Sequence, residues 1–180
     1  MKLVVSENNW AFEHLGPFEW RFFTELPADA AGESVDAYCR RRLLPDPLDV
    51  PAGKRGEHED FINDWNEYVR PDLTAGFREA RERVAADLKN ARRAAASLPP
   101  TEEGHPGRIS VALDGVEAWY STLNQARLLL NEQHRIADSI DNFIEEDMSI
   151  ELQSDLLLLL AKYEFYTAVQ AIMVENLMRP

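Results

Sequence analysis

The chain has 180 residues, a formal net charge of −13, 45% hydrophobic and 28% charged residues, and one cysteine. That length fits one domain whose core needs no metal or disulfide to hold it, and the negative charge repels phosphate backbones and anionic lipid, so neither nucleic acid nor membrane is an expected partner. The single thiol, Cys39, suits a reducing cytosol and reads as a small buried apolar residue; the opening Met-Lys-Leu-Val-Val is too short for a signal peptide, and the run Leu156 to Ala161 is far below the ~20 residues of a membrane span, which points to a soluble cytoplasmic protein.

Leu3-Val4-Val5 and Trp10-Ala11-Phe12 flank the polar stretch Ser6 to Asn9, a hairpin pattern occupying residues 1–13. Pro17 suits a first helical turn, and Phe18, Phe22 and Leu26 follow at helical spacing until Pro27, which is expected to end that helix. A second short helix is expected to hold Val35, Tyr38 and Cys39. Residues 44–56 carry three prolines and two glycines and read as a loop. Helical period returns with Phe61, Ile62, Trp65, Tyr68 and Val69, and Pro71 forces a break or kink.

Leu73, Phe77, Ala80, Val84, Leu88, Ala91, Ala95 and Leu98 form a narrow seam. It suits a second long helix, and a homodimer is favoured over a monomer, although the helix beginning at Asp114 in the same chain fits the seam equally well. Pro99-Pro100 ends the run. Ile109, Val111 and Leu113 alternate with Arg108, Ser110 and Ala112 as a half-buried strand over 108–113 does. Asp114 followed by Glu117 resembles a capping box and starts the next helix. The acidic stretch Asp138 to Glu151 holds a turn, and the last helix follows to about Met178. Its five consecutive leucines, Leu156 to Leu160, wrap most of its circumference and predict the most buried helix.

The pattern is mainly α: a single-domain helical bundle of about five to six helices over 1–180 with a small antiparallel sheet, the N-terminal hairpin plus one strand. Helices fill 17–98, interrupted by the Pro-rich loop, and two long core helices fill 114–178. Charge is uneven: Arg78 to Arg93 holds six basic and three acidic residues, whereas Glu132 to Asp155 holds one basic and eight acidic. Such runs on helices read as solvated faces.

Several chemistries lack their residues. There is no Gly-rich phosphate loop and no paired-cysteine zinc pattern. Glu102 and His105 lie in a Gly/Pro loop rather than on inward-facing helices. Glu57, His58, Glu59 and Asp60 are adjacent and point in different directions on a helix, where acidic residues serve the first turn. His134 and Asp138, one turn apart, read as a surface hydrogen bond. No catalytic residue, metal site or cofactor is assigned.

The stretch WYSTLNQARLLLNEQHR, Trp119 to Arg135, carries the one candidate site. On a helix, Trp119, Leu123, Ala126, Leu130 and Ala137 make an apolar stripe beside a polar stripe of Asn124, Arg127, Asn131, Arg135 and Asp138. The candidate binding residues are Trp119, Asn124, Arg127, Asn131 and His134. A structural role is favoured: Asn124 and Arg127 tie helix ends or a carboxylate, with Glu164 the candidate partner, because an unmade buried hydrogen bond costs ~1–3 kcal/mol. The alternative is a small-molecule or enzyme pocket around Trp119, Asn124, Arg127 and His134, with Arg127 as a fork donor.

The pattern W..TLNQARLLL, followed by YEFYTAVQAIM in the last helix, resembles a bacterial family of unknown function, common in actinobacteria and seen in verrucomicrobia-like lineages. The matching positions are Trp119, Leu123, Asn124, Arg127, Leu128, Leu130, Tyr163 and Gln170, and the match is best over Asp114 to Leu177. Gln125 stands where members often have Asp, and Asn131 where they often have Gly. The family brings no established activity. A helical body without catalytic motifs suits a non-enzymatic interaction protein; the family's genes often neighbour one for the ClpS-type protease adaptor, and the resemblance therefore implies a protein partner in the Clp protease system.

Overall fold

The structure, a computed structural model, describes residues 1–32, 43–44, 56, 58–96, 105–136 and 150–178. The expected helix around Val35, Tyr38 and Cys39, most of the loop over 44–56, Leu98 with Pro99-Pro100, and most of the acidic stretch Asp138 to Glu151 lie outside the described residues.

Strands β1 (Lys2–Val5) and β2 (Asn9–Glu13) form the expected hairpin, closed by the Ser6 N–H donating to the Asn9 carbonyl at 2.8 Å. Strand β3 (Arg108–Ala112) pairs antiparallel with the other side of β2, placing Trp10 opposite Val111 and Phe12 opposite Ile109. Period-two alternation turns Ile109 and Val111 into the core and leaves Arg108, Ser110 and Ala112 outside. Leu113 leaves the strand and opens a 3-10 turn.

Helix α1 (Pro17–Ala31) begins as expected at Pro17, with the Glu19 carboxylate accepting the Gly16 N–H at 2.6 Å. It does not stop at Pro27. Beyond the proline Ala30 is buried, and Asp29 is fixed from another helix, so packing outweighs the lost backbone bond. The helix ends at Gly32, whose left-handed backbone (φ 60°) lets its N–H reach the Ala28 carbonyl.

Helix α2 (Glu59–Asp64) continues through a π turn, Trp65–Val69, into α3 (Arg70–Ala96). Pro71 therefore does not break the run. The widened turn sits immediately before the proline, which has no N–H to give the preceding turn. Helix α4 (Val116–His134) follows the 3-10 turn, and α5 (Ile150–Met173) ends in a second π turn, Val174–Met178. Because Pro71 does not divide its run, the described residues form four helical rods, against the five to six helices expected over the whole chain.

The core lies where α1, α4 and the sheet meet. Trp10, Phe12, Phe23 and Trp119 make one aromatic cluster, with ring centres 5.6 Å apart for Trp10–Trp119, 5.0 Å for Phe12–Phe23 and 5.5 Å for Phe23–Trp119. Such pairs contribute ~0.5–1.5 kcal/mol each beyond their buried area. The seam of α3 is used inside the chain: Ala80, Val84, Leu88 and Ala91 are buried, and α3 packs against α4 and α1.

The last helix is not the most buried. Tyr166, Val169 and Met173 are enclosed, but Leu156 and Leu158 to Leu160 are only half-buried and Leu157 is 60% exposed. Five consecutive residues span more than a full helical turn, so some must face outward unless other elements surround the helix on every side. The stretch Ser154–Met178 is long and apolar enough to cross a membrane by length and composition. Here its buried face packs on α1 and α4, and its Lys162 is ion-paired to α1.

Candidate functional site

The five candidate residues all lie on α4, but they look in different directions. Trp119 is fully buried in the aromatic cluster, and its indole N–H donates to Asp87 Oδ2 at 2.9 Å. Burial pushes the Asp87 carboxyl pKa above its usual value, against the opposing influence of the Trp119 bond and the Arg83 charge. Asn124 is half-buried and makes no side-chain hydrogen bond to another described residue. Asn131 is half-buried and engaged. His134 lies exposed at the end of the helix, fifteen positions from Trp119, a rise of about 22 Å. Partial burial, with the positive charge of Lys162, lowers its pKa.

Arg127 is the residue that joins helices. Its Nη1 donates to Gln170 Oε1 on α5, its guanidinium lies 5.9 Å from the centre of the Tyr163 ring, and Gln170 in turn donates to the Tyr120 carbonyl at 3.4 Å. The Arg127 Nε is enclosed and without an acceptor. Glu164 is exposed and is not the partner. Tyr163 and Gln170 are seven positions apart and share a helix face, whereas Glu164 is turned about 100° away from Tyr163.

Beside Arg127 a shallow open groove of about 380 Å³ runs between α4 and α5, lined by Tyr120, Thr167, Gln170, Val174 and Glu175. Of the five candidates only Arg127 lines it. The set Trp119, Asn124, Arg127 and His134 does not face one cavity. Asp114 also differs from expectation. Its carboxylate does not cap α4, whose cap residue is Gly115, but accepts from Arg83 at 2.5 Å on the surface.

Two features had no place in the sequence reading. The first is a polar cluster between α5 and α1. The Tyr166 hydroxyl lies 2.8 Å from both the Phe22 carbonyl oxygen and Asp29 Oδ2; Lys162 Nζ lies 2.9 Å from Asp29 and 2.6 Å from Glu25, which also accepts from Arg21 at 2.9 Å. Burial alone would lower the Lys162 pKa, but its bonds to Glu25 and Asp29 outweigh that and raise it. Burial likewise opposes ionisation of Glu25, yet Lys162 and Arg21 hold its pKa below the ordinary value. Burial and the Asp29 charge raise the Tyr166 pKa. A lone lysine in a leucine-rich helix, four positions before a tyrosine, was the available signal.

The second is the stretch α2 through the start of α3. No other described helix or strand packs substantially on α2 or the π turn, and Phe61, Tyr68, Val69 and Leu73 are 51, 61, 38 and 37% exposed. Their helical spacing was legible, but exposure depends on what packs nearby.

Among the described residues no three of His, Cys, Asp and Glu gather as a metal site. Fold and site together define a small, mostly helical domain with a three-stranded antiparallel sheet, whose polar side chains tie helix to helix. The chain belongs to the family described as Domain of unknown function (DUF2017), whose model matches residues 8–177. No curated protein and no solved structure matches it.

Proposed function

We propose that this is a non-enzymatic cytosolic interaction domain that docks a protein partner through the arm formed by α2, the π turn and the start of α3. The observation that carries this reading is the exposure of Phe61, Tyr68, Val69 and Leu73 within fifteen positions of one helical run. Clustered exposed apolar side chains of this size mark interaction surfaces, and aromatic residues are enriched where binding energy concentrates. Arg127 serves packing, because it is held by Gln170 and Tyr163 of the same chain. A pocket for a small molecule is the lesser reading, supported by the groove beside Arg127 alone.

The partner belongs to the Clp protease system, an assignment supported by the gene neighbourhood that the family resemblance implies. Affinity capture from native lysate, with the wild type and a Phe61→Ser/Tyr68→Ser variant compared by mass spectrometry, tests both parts. Recovery of a Clp component by the wild type and its loss with the variant are expected. Retention by the variant overturns the arm, and absence of Clp components from both overturns the partner.

A further inference from the structure

Between Glu59 and Leu73 the exposed surface mixes apolar side chains, Phe61, Tyr68, Val69, Pro71 and Leu73, with five acidic ones, Glu59, Asp60, Asp64, Glu67 and Asp72, and the two amides Asn63 and Asn66. The single basic residue in this stretch is Arg70. It is half-buried, and its Nη2 donates to the Leu44 carbonyl at 3.2 Å, which spends the guanidinium on the chain itself. At the start of the arm an open cleft of about 310 Å³ is bounded by Gly56, Glu59, Ile62 and Asn63. It has room for a large side chain.

Resting on the docking role of the arm, we propose that its occupant is a basic segment of a partner protein with apolar anchors at helical spacing. Aromatic and aliphatic side chains supply the area that must leave water. The five carboxylates that flank them make no ion pair with another described residue and lower the energy of any cation brought alongside. A lysine- or arginine-bearing amphipathic helix meets both requirements. An acidic or neutral segment wins the apolar contacts and pays for carboxylates left without counter-charges.

The same charge argues against the other occupants. A second copy meeting this face through its own arm sets acidic rows against each other. The basic stretch of α3 is diluted by its own acidic residues, Glu79, Glu82 and Asp87, and partly engaged within the chain: Arg83 pairs with Asp114, Arg78 loosely with Glu82, Arg81 donates to Gln125 and Arg92 lies over the Trp20 ring, while Lys89 stays exposed. Anionic lipid and nucleic acid are repelled outright.

A random twelve-residue peptide library displayed on phage reads the occupant's chemistry directly. Selection is run on the full chain, with counter-selection on a Phe61→Ser/Tyr68→Ser/Leu73→Ser variant whose thermal melt shows that it stays folded. The expected winners carry net positive charge with apolar residues three or four positions apart. Synthetic copies bind the wild type at least tenfold more tightly than the variant and weaken as salt is raised from 50 to 500 mM. Asp60→Asn/Asp64→Asn/Glu67→Gln/Asp72→Asn weakens them by a similar factor with the apolar residues intact. Arm-dependent winners that are neutral or acidic overturn the basic class while leaving the arm as a docking surface. No arm-dependent enrichment overturns both. Sedimentation showing a dimer that the triple variant dissolves assigns the face to a second copy and overturns the proposal.

Discussion

The Tyr166 hydroxyl of α5 lies 2.8 Å from Asp29 Oδ2 of α1, and this contact holds the last helix against the first. Tyr166 is fully buried, so its hydroxyl must be satisfied inside the fold, and the Phe22 carbonyl is equally close. Tyr166→Phe keeps the ring and deletes the donor. The expected cost is about 1–2 kcal/mol, a fall in melting temperature of roughly 3–6 °C for a domain of this size. Thermal unfolding followed by circular dichroism measures it.

The Glu25–Lys162 pair makes stability depend on pH. Glu25 has a folded pKa below its unfolded value of 4.5. Its contribution is therefore present above the unfolded value and lost as pH falls through the folded one. Lys162 has a folded pKa above 10.5, so its contribution is present below that and lost as pH rises through the folded value. The stability difference between wild type and Lys162→Met should be largest at pH 7 and shrink toward pH 3. Urea midpoints at the two pH values check this, and a constant difference would count against the pair.

Asp87 behaves in the opposite sense. Its folded pKa is raised by burial, so its ionised form opposes folding at neutral pH, and that cost is relieved as pH falls through the folded value toward 3.8. Asp87→Asn retains an oxygen for the Trp119 N–H and removes the charge. The variant should be as stable as the wild type or more so at pH 7, with its advantage shrinking as pH falls through the folded value and gone below 3.8. Paired denaturant titrations read the difference.

Helix faces set the cost of losing a leucine. Leu123 of α4 is fully buried and Leu157 of α5 is 60% exposed. Leu123→Ala should cost about 2–5 kcal/mol through lost burial and the cavity left behind. Leu157→Asp should change stability by less than about 0.5 kcal/mol. Chemical denaturation of the two variants tests the placement.

Arg127 and Gln170 should be energetically coupled. Each single change to alanine loses the same hydrogen bond, and Arg127→Ala also loses the Tyr163 ring contact. The cost of Arg127→Ala should be about 1–2 kcal/mol, less than a buried carboxylate partner would impose. A double-mutant cycle should give a coupling of about 0.5–1.5 kcal/mol. Zero coupling contradicts the contact.

The parts of the fold written in local pattern were readable. Alternation in Ile109 and Val111 announced a strand, and Trp10 and Phe12 announced its neighbour. The α3 seam was visible, and its partner proved to be the chain's own α4, one of two fits that the pattern allowed. Prolines misled, because Pro27 and Pro71 are intrinsically poor in a helix and only tertiary packing or a π turn accommodates them. The five leucines misled for a related reason: an all-round apolar helix is enclosed only if neighbours exist on every side. At the candidate site, Arg127 was picked out by its place among leucines, but its partner was not. Glu164 attracted by charge, whereas helix geometry put Gln170 and Tyr163 within reach. Exposure of Phe61 and Tyr68 was invisible, since their spacing is that of any core helix.

The central claim is that the exposed arm is a docking surface, and photo-crosslinking in living cells tests it most directly. A photoreactive phenylalanine analogue is placed at position 61 or 68, and at exposed Leu128 or Leu157 as controls. The account predicts discrete cross-linked protein partners from positions 61 and 68 and none in common with the controls. Absence of cross-links at 61 and 68, or the same products from all four positions, would contradict it.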